Sequence, residues 1–184
     1  MLNEVLLVLW FFLPAGLANA APIFAAKLPL LRTLSFPLDC YATFHGKRMF
    51  GSHKTVRGLL SGILMGTSIV FLQVFLYERV PFIRTFVSID YASISPLLLG
   101  PLAAIGALGG DAIKSFLKRQ MDIKPGTSWF PFDQLDYVIG GSICMSFYIQ
   151  LSFFQYMMLV LVWFLLHPIA TFIGYELRLK VSPI

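Results

Sequence analysis

The chain has 184 residues, of which 58% are hydrophobic and 12% are charged, and its mean hydropathy is +0.79. Soluble domains carry about 25% charged residues, so this composition excludes an ordinary soluble protein and indicates an integral membrane protein. The net charge of +5 does not indicate nucleic acid binding, because the basic residues form short clusters beside apolar blocks, as flanks of membrane spans do.

The first apolar block runs from about residue 5 to residue 26 and is predicted to be an uncleaved transmembrane helix. Its length is close to the roughly 20 residues that a bilayer requires, and it lacks the positive leader of a signal peptide. Pro14 and Pro22 interrupt it, and Asn19 lies between them. A polar side chain at this depth either bonds a neighbouring helix or serves a site on a broken helix.

A polar loop at 27–57 carries six basic residues and a single acid, Asp39. At its end, Lys54 and Arg57 are one helical turn apart, with Thr55 between them, so both are positioned to face one anionic group. The alternative is that these cations are ordinary flanks of the next span. The phosphate-binding P-loop pattern does not occur in the sequence.

Two further spans are predicted at 58–77 and 92–113, separated by a mixed-charge loop. The glycine pairs Gly62/Gly66 and Gly106/Gly110 permit close helix packing, either within one bundle or in a homodimer. The 39 residues at 137–175 contain no Asp, Glu, Lys or Arg. At ~1.5 Å per residue they exceed one crossing of a ~30 Å core, so we predict two helices with a turn near 150–155.

The stretch at 109–136 concentrates charge between apolar blocks. If the preceding helix continues past Gly110, then Asp111, Ser115, Lys118 and Arg119 share one helical face. Asp133 and Asp136 are spaced i, i+3 at the start of the next block, which predicts that both point the same way. Further candidate phosphate contacts in this stretch are Lys114 and Lys124.

Three carboxylates and several cations near one membrane boundary suggest chemistry on phosphates. Mg²⁺ prefers oxygen ligands and is usually held by one or two carboxylates together with substrate phosphates, which Lys and Arg also bind. The pattern therefore predicts metal-assisted phosphoryl or nucleotidyl transfer. The alternative for Asp133 and Asp136 is helix capping, which is compatible with metal binding. His167, which precedes Pro168, is interpreted as a packing or capping residue.

The same residues carry a family resemblance. The series Asp111-x-x-Lys114-Ser115-x-x-Lys118-Arg119, then Pro125-Gly126, then Asp133-Gln134-x-Asp136, resembles the signature region of the CTP-dependent lipid cytidylyltransferases. The Asp-Gln-x-Asp ending is most similar to the CDP-archaeol synthase branch, whereas CDP-diacylglycerol synthases usually show Asp-Arg-x-Asp. Earlier segments resemble the same family: Ala18-Asn19-Ala20-Ala21-Pro22, and Lys54-Thr55-x-Arg57-Gly58 preceded by Asp39.

The resemblance implies an enzyme that converts CTP and an isoprenoid-glycerol ether phosphate to CDP-archaeol and pyrophosphate, with Mg²⁺ as cofactor. It implies Asp133 and Asp136 as metal ligands, Asp111 as a third carboxylate and Lys118 as a catalytic residue. Asn19 and Asp39 would orient substrate. The other implied substrate contacts are Lys54, Thr55, Arg57, Lys114, Ser115, Arg119 and Lys124. The alternatives are a CDP-diacylglycerol synthase acting on phosphatidic acid, a polyprenol kinase, and, outside the enzymes, a small membrane transporter.

The distribution of basic residues predicts the topology. Six lie at 27–57, four at 114–124 and two in the tail, Arg178 and Lys180, against two in the loop at 78–91. Basic loops stay on the cytoplasmic side, so the sequence predicts about five transmembrane helices with the N-terminus outside and the C-terminus cytoplasmic. We therefore expect an all-α multi-pass protein of the cell membrane, with residues 1–184 forming one catalytic domain whose active site faces the cytoplasm.

Overall fold

The computed structural model describes residues 1–124 and 127–176, except for the side chains at positions 30 and 32. Helices account for most of this part of the chain. Their bounds are α1 Leu2–Ala25, α2 Val56–Arg79, α3 Pro81–Arg84, α4 Pro96–Gln120, α5 Phe132–Ser146 and α6 Phe153–Glu176, with two short 3-10 helices at Pro29–Leu34 and Tyr91–Ser93.

Helix α1 is the centre of the bundle. It contacts α2, α4, α5 and α6, and its buried residues include Leu7, Val8, Phe11 and Phe12, all of them at most 1% exposed. The helix continues through Pro14 and Pro22. A helix that is apolar on all sides is expected at such a central position.

Four described helices, α1, α2, α4 and α6, are long and apolar enough to cross a membrane. Helix α5 has 15 residues, which correspond to roughly 22 Å, less than a ~30 Å hydrocarbon core. The all-helical class is confirmed for the described residues, apart from one small hairpin, β1 Thr43–Phe44 with β2 Lys47–Arg48. The connection between α5 and α6 falls at 147–152, slightly earlier than predicted.

Successive helices of the bundle, α1, α2, α4, α5 and α6, alternate in direction. Gln155, at the start of α6, donates to Glu4 at the start of α1, with 3.0 Å between Nε2 and Oε2. Tyr148, just beyond α5, accepts a bond from the backbone N–H of Ser95 at the start of α4, at 3.0 Å. The first turns of α1, α4 and α6 therefore lie at one end of the bundle, and the ends of α1 and α4 lie at the other.

Helices α4 and α5 approach unusually closely because glycines line their contact. A Cβ added to Gly110 would lie 2.1 Å from the backbone oxygen of Asp136, and one added to Gly140 would lie 2.3 Å from the oxygen of Gly106. Gly62 and Gly66 similarly admit Leu108 and the backbone of Gly100. Both predicted glycine pairs are thus used inside the bundle, and the close α4–α5 contact brings Asp111 and Asp136 together.

The loop between α1 and α2 folds back over the end of the bundle at which α1 and α4 end. Its two strands join through His45 and Gly46, which both have positive φ, as a tight hairpin turn requires. The base of the loop is closed by backbone bonds from Leu38 to Lys54, at 2.8 Å, and from Val56 to Phe36, at 2.9 Å. Lys47 anchors the hairpin to the end of α4 through the backbone oxygen of Gln120 and the carboxylate of Asp122.

Candidate functional site

A polar chamber of about 550 Å³ lies where α1 and α4 end and where α2 and α5 begin. The last part of α6 and the end of the α1–α2 loop complete its wall. Nine of the residues predicted from the sequence line this chamber: Asn19, Lys54, Thr55, Arg57, Asp111, Lys114, Lys118, Asp133 and Asp136.

One stripe of α4 faces the chamber. The helix continues past Gly110 to Gln120 and presents Asp111, Lys114 and Lys118 to the cavity. These positions are i, i+3 and i+7, which lie on one helical face. Ser115 and Arg119, which were predicted to share this face, do not line the chamber. They lie one position further round the helix, and the Ser115 hydroxyl donates to the backbone oxygen of Asp111 instead.

Lys114 is the hub of the site. Its Nζ lies 3.1 Å from Asp111 Oδ1, 2.9 Å from Asp133 Oδ1 and 2.7 Å from Asp136 Oδ2. All four side chains are at most 19% exposed, so the pairs are shielded from solvent. The predicted convergence of the three carboxylates is therefore confirmed as a geometric fact, with a lysine at their meeting point.

Lys118 holds Asp133 from the second turn of the same stripe. Its Nζ donates to both oxygens of the Asp133 carboxylate, at 2.8 and 2.9 Å, and to the backbone oxygen of Thr127, at 2.8 Å. The Asp133 carboxylate also accepts from the backbone N–H of Trp129 at 2.5 Å. The capping residue of α5 is Pro131, without a side-chain bond, so Asp133 is not an N-cap and points into the chamber instead.

Lys54 reaches the same cluster from the α1–α2 loop, where its Nζ forms a salt bridge with Asp111 Oδ2. Its backbone oxygen is fixed by Leu38 at the base of the loop. Thr55 follows as the N-cap of α2 and accepts from the backbone N–H of Gly58 at 3.2 Å. Thr55 therefore sets the position at which α2 begins, which in turn fixes where Lys54 and Arg57 face the chamber.

Among the described residues, Arg57 is the chamber cation that forms no salt bridge. Within residues 1–124 and 127–176 the salt bridges involve Lys47, Arg48, Lys54, Lys114 and Lys118, and Arg57 is in none of them. Three lysines and three aspartates balance one another in the cluster, so Arg57 adds net positive charge. A guanidinium in this position suits a phosphate ligand, which it binds in bidentate fashion.

Asp39 lies outside the chamber, in contrast to the predicted contact with substrate. Its carboxylate is fully buried and accepts from the Arg48 guanidinium at 3.0 and 3.2 Å, and from the backbone N–H groups of Tyr41, Phe50 and Gly51 at 3.1 Å each. Burial raises the pKa of Asp39, but these hydrogen bonds outweigh burial and lower the pKa below its usual value. Asp39 thus shapes the loop that carries Lys54.

The remaining predicted residues lie elsewhere. Lys124 is exposed and does not line the chamber. The Pro125-Gly126 motif and the tail residues Arg178 and Lys180 lie outside the described residues.

Several chamber residues were not identified from the sequence as part of a site. Ser52 and His53 precede Lys54 in the loop, while His167 and Thr171 enter from α6. Gln134 is 4% exposed, and its Oε1 has no hydrogen-bond partner among the described residues. It lies inside the Asp-Gln-x-Asp motif, which is the signal that could have identified it. For α6 the signal was weak, because a lone histidine in an apolar helix usually packs.

The residues fit a divalent cation by chemistry. Three carboxylate oxygens lie within 3.1 Å of one point, Lys114 Nζ, and carboxylate oxygen is the donor that Mg²⁺ prefers. In the described part of the chain, however, no group of three or more His, Cys, Asp or Glu side chains is arranged to hold a metal ion. The three carboxylates therefore offer the negative charge and the oxygen donors that a divalent cation needs. In this structure the Lys114 amine occupies the point between them.

Comparison with known proteins gives one consistent family. The family profile described as CarS-like CDP-archaeol synthase matches residues 1–183. The CDP-archaeol synthase of Pyrobaculum islandicum is 32% identical over 180 residues, which cover 96% of this chain and 98% of that protein. The CDP-archaeol synthase of Methanocaldococcus jannaschii is 31% identical over 175 residues, or 94% of this chain and 93% of the relative.

A solved structure is also similar. It is described as "Structural insight into an intramembrane enzyme for archaeal membrane lipids biosynthesis" and superposes with a TM-score of 0.71 at 26% identity. The match covers 90% of this chain and 93% of the solved one.

Proposed function

The chain belongs to the CDP-archaeol synthase family, and from that premise we propose that the polar chamber is where CTP and a lipid phosphate react. Members of this family are CTP-dependent cytidylyltransferases, so the protein is a nucleotidyltransferase of membrane phospholipid biosynthesis. We assign the reaction to this chamber on one observation: the carboxylates of Asp111, Asp133 and Asp136 converge on the Lys114 amine.

The proposed reaction needs no activated serine or cysteine, because the lipid phosphate is already an anion. One of its oxygens attacks the α-phosphorus of CTP and forms the new P–O bond. The bond from that phosphorus to the bridging oxygen breaks, and pyrophosphate leaves with the electron pair. The task of the protein is to hold two anionic substrates together in line and to offset the charge on the leaving group.

The chamber supplies cations for that task. Lys54, Lys114 and Lys118 reach it from two different elements, and Arg57 is free of carboxylate partners among the described residues. We assign Arg57 to a phosphate of CTP or of the lipid, and the lysines to the triphosphate. Phosphate oxygens would then take over amine hydrogen bonds that the carboxylates accept in the structure.

Mg²⁺, when bound, would offset negative charge on the triphosphate and on the leaving pyrophosphate. Asp133 and Asp136 are the proposed ligands, and Asp111 is the proposed third carboxylate. Their oxygens are of the type that Mg²⁺ selects, and their shared contact with a cation supports this assignment. Lys114 would move from the carboxylates to a phosphate.

The proposed topology has five crossings, with the N-terminus outside and the chamber facing the cytoplasm. Helix α6 begins beside the start of α1 and returns to the chamber at His167 and Thr171, so α5 and residues 147–152 lead the chain back across the bundle. The basic loop at 27–57 lies at the chamber end, which supports the cytoplasmic orientation.

The native Cys40 offers a test of this orientation, because it is an exposed free thiol in the chamber-end loop. In a Cys144→Ser background, a membrane-impermeant maleimide is expected to label Cys40 in inside-out vesicles and not in intact cells. Labelling only in intact cells would contradict the cytoplasmic placement.

Pyrophosphate release by the detergent-purified protein tests the reaction. With CTP and Mg²⁺, an unsaturated isoprenoid-ether phosphate is expected to support release, and phosphatidic acid is expected to support much less. Efficient release with phosphatidic acid would instead assign the protein to diacylglycerol lipids. Nucleoside diphosphate as the only nucleotide product would indicate a kinase, and a folded protein with no turnover on either lipid would contradict the assignment.

Asp133→Asn and Asp122→Asn form a matched pair for the site. Asp122 is 77% exposed and does not line the chamber, whereas Asp133 contacts two lysines inside it. We expect Asp133→Asn to lower kcat by roughly 10²-fold or more and Asp122→Asn to leave it nearly unchanged. A folded Asp133→Asn variant with full activity would refute the proposed metal role.

A further inference from the structure

A second cavity opens between α1 and α6 beside the chamber. It has a volume of about 220 Å³ and is lined on the α1 side by Gly16, Ala20 and Phe24, and on the α6 side by Trp163 and Ala170, among others. We call this cavity the α1–α6 groove. Most of its wall is apolar, in contrast to the chamber, whose wall carries the charged cluster.

The groove is continuous with the chamber. Asn19, Ile23, His167 and Thr171 line both cavities, so they form the junction between them. From this junction the groove leads outward to Phe24 and Ile173, which are each 51% exposed. The groove therefore runs from a polar inner end to an open apolar edge.

The residues at the open edge are suited to lipid, because Phe24 and Ile173 are large apolar side chains that are each half-exposed. The opposite side of α6 also exposes apolar side chains, at Leu161, Leu165, Ile169 and Phe172. Exposed apolar side chains on a membrane helix are expected to contact hydrocarbon. A molecule in the groove could thus remain partly in the bilayer while its head lies in the chamber.

The groove has a fixed wall. The Trp163 ring packs directly on Gly16, where any Cβ would lie 2.4 Å from the ring, and edge-on against Phe12, with 5.3 Å between the ring centroids. Its Nε1 donates to the backbone oxygen of Val8 at 3.2 Å. These contacts hold the indole in place, so the wall of the groove at Trp163 is fixed by helix packing.

We propose that the α1–α6 groove holds the part of the lipid substrate next to its phosphate, namely the glycerol and the first segment of one apolar chain. This proposal rests on the proposed function, because it assumes that a lipid phosphate reacts in the chamber. A volume of about 220 Å³ is below the ~300–1,000 Å³ of pockets that enclose a whole drug-sized ligand. The rest of the chains would stay in the bilayer, and the substrate would reach the chamber sideways.

The first test fills the groove. Ala20→Trp adds bulk from the α1 wall of the groove, and Ala170→Phe adds bulk from the more exposed α6 side. Both are expected to raise the KM for the ether lipid phosphate by roughly tenfold or more and to leave the KM for CTP unchanged. Leu64→Trp, at a 70% exposed position of α2, is the matched control and is expected to change neither constant. Unchanged lipid KM in both folded groove variants would overturn the proposal.

The second test maps the lipid directly and does not require turnover. An ether lipid phosphate with a diazirine on the chain next to the glycerol is photolysed with the intact protein, and the labelled residues are identified by mass spectrometry. Labels within 16–24 and 163–174, suppressed by excess unlabelled substrate, are expected. Labels on α2, or equal labelling of the groove by a diazirine phosphatidylcholine, would overturn the proposal that the groove holds the lipid substrate. Absence of pyrophosphate release from the wild type would instead count against the proposed function.

Discussion

Gly110→Ala tests whether the close contact of α4 and α5 builds the site. In an ordinary exposed helix this substitution stabilises by about 1 kcal/mol. Here the new Cβ would lie 2.1 Å from the backbone oxygen of Asp136 and 2.9 Å from its carbonyl carbon. The first distance is 0.9 Å less than the 3.0 Å below which Cβ contacts are essentially never found. The obstacle is backbone, so it cannot rotate away, and α5 must move.

The expected cost has two components. Overpacking of this kind destabilises by about 1–3 kcal/mol, the opposite sign to the usual effect. Moving α5 also separates Asp136 from Asp111, which now lie 2.7 and 3.1 Å from the same Lys114 amine. A misplacement of about 1 Å at a reacting centre costs on the order of 10²-fold in rate. We therefore expect a lower melting temperature together with a loss of kcat of that order.

Gly109→Ala is the matched control on the same helix, because a Cβ there would meet no atom within 4 Å. It is expected to stabilise by about 0.5–1 kcal/mol and to raise the melting temperature by roughly 1–4 °C, with kcat unchanged. The assays are thermal unfolding in detergent and pyrophosphate release under saturating substrates. If Gly110→Ala melts at or above the wild-type temperature and keeps kcat within about twofold, the reasoning is refuted.

Two further substitutions probe charge. Lys114→Met is expected to cost about 3–5 kcal/mol in EDTA, because Asp136 has no other salt bridge among the described residues. Mg²⁺ is expected to raise the melting temperature of this variant more than that of the wild type. An equal rise in both proteins would contradict the proposal that Mg²⁺ binds the carboxylates that Lys114 contacts. Asp39→Asn is expected to lose about 2 kcal/mol at pH 7. Since folding lowers the pKa of Asp39, its ionised form contributes fully to stability above the ordinary carboxyl pKa of about 4, and the contribution is lost as the pH falls through the lowered pKa. The melting temperatures of wild type and variant should therefore converge on acidification.

The sequence predicted the parts of the structure that follow from local periodicity. The four long helices correspond to continuous apolar blocks, and the i, i+3 spacing of Asp133 and Asp136 correctly predicted a common direction. The helix and aspartate predictions depend only on the geometry of a single helix. Lys54 and Arg57 were likewise predicted to face the same space and both line the chamber, although Lys54 lies in the loop just before the N-cap of α2.

The errors concern contacts that a single helix does not determine. From spacing alone, either Lys114 or its neighbours Ser115 and Arg119 could have faced the site together with Asp111 and Lys118. The position of α5 decides in favour of Lys114, which contacts Asp136 on that helix. Asp39 was correctly singled out as the lone acid of a basic loop, but its Arg48 partner lies across the hairpin. The α6 residues of the chamber depend on long-range packing and had no local signature.

The charge arrangement connects the fold to the reaction. Burying a single charge beside hydrocarbon is expensive, and burying three carboxylates would be prohibitive without cations. Three lysines meet those carboxylates in the structure, so the cluster is neutral before a substrate arrives and Arg57 remains in excess. A nucleotide that brings both phosphate and a divalent cation offers a new partner to the lysines and to the aspartates at once. Neither set of charges is then left unpaired. Phosphate alone would leave the aspartates without cations, and metal alone would leave the lysines without anions.

We therefore expect the metal and CTP to bind with positive coupling, measurable as tighter Mg²⁺ binding in the presence of a non-hydrolysable CTP analogue. Independent binding of the two would count against an exchange of partners.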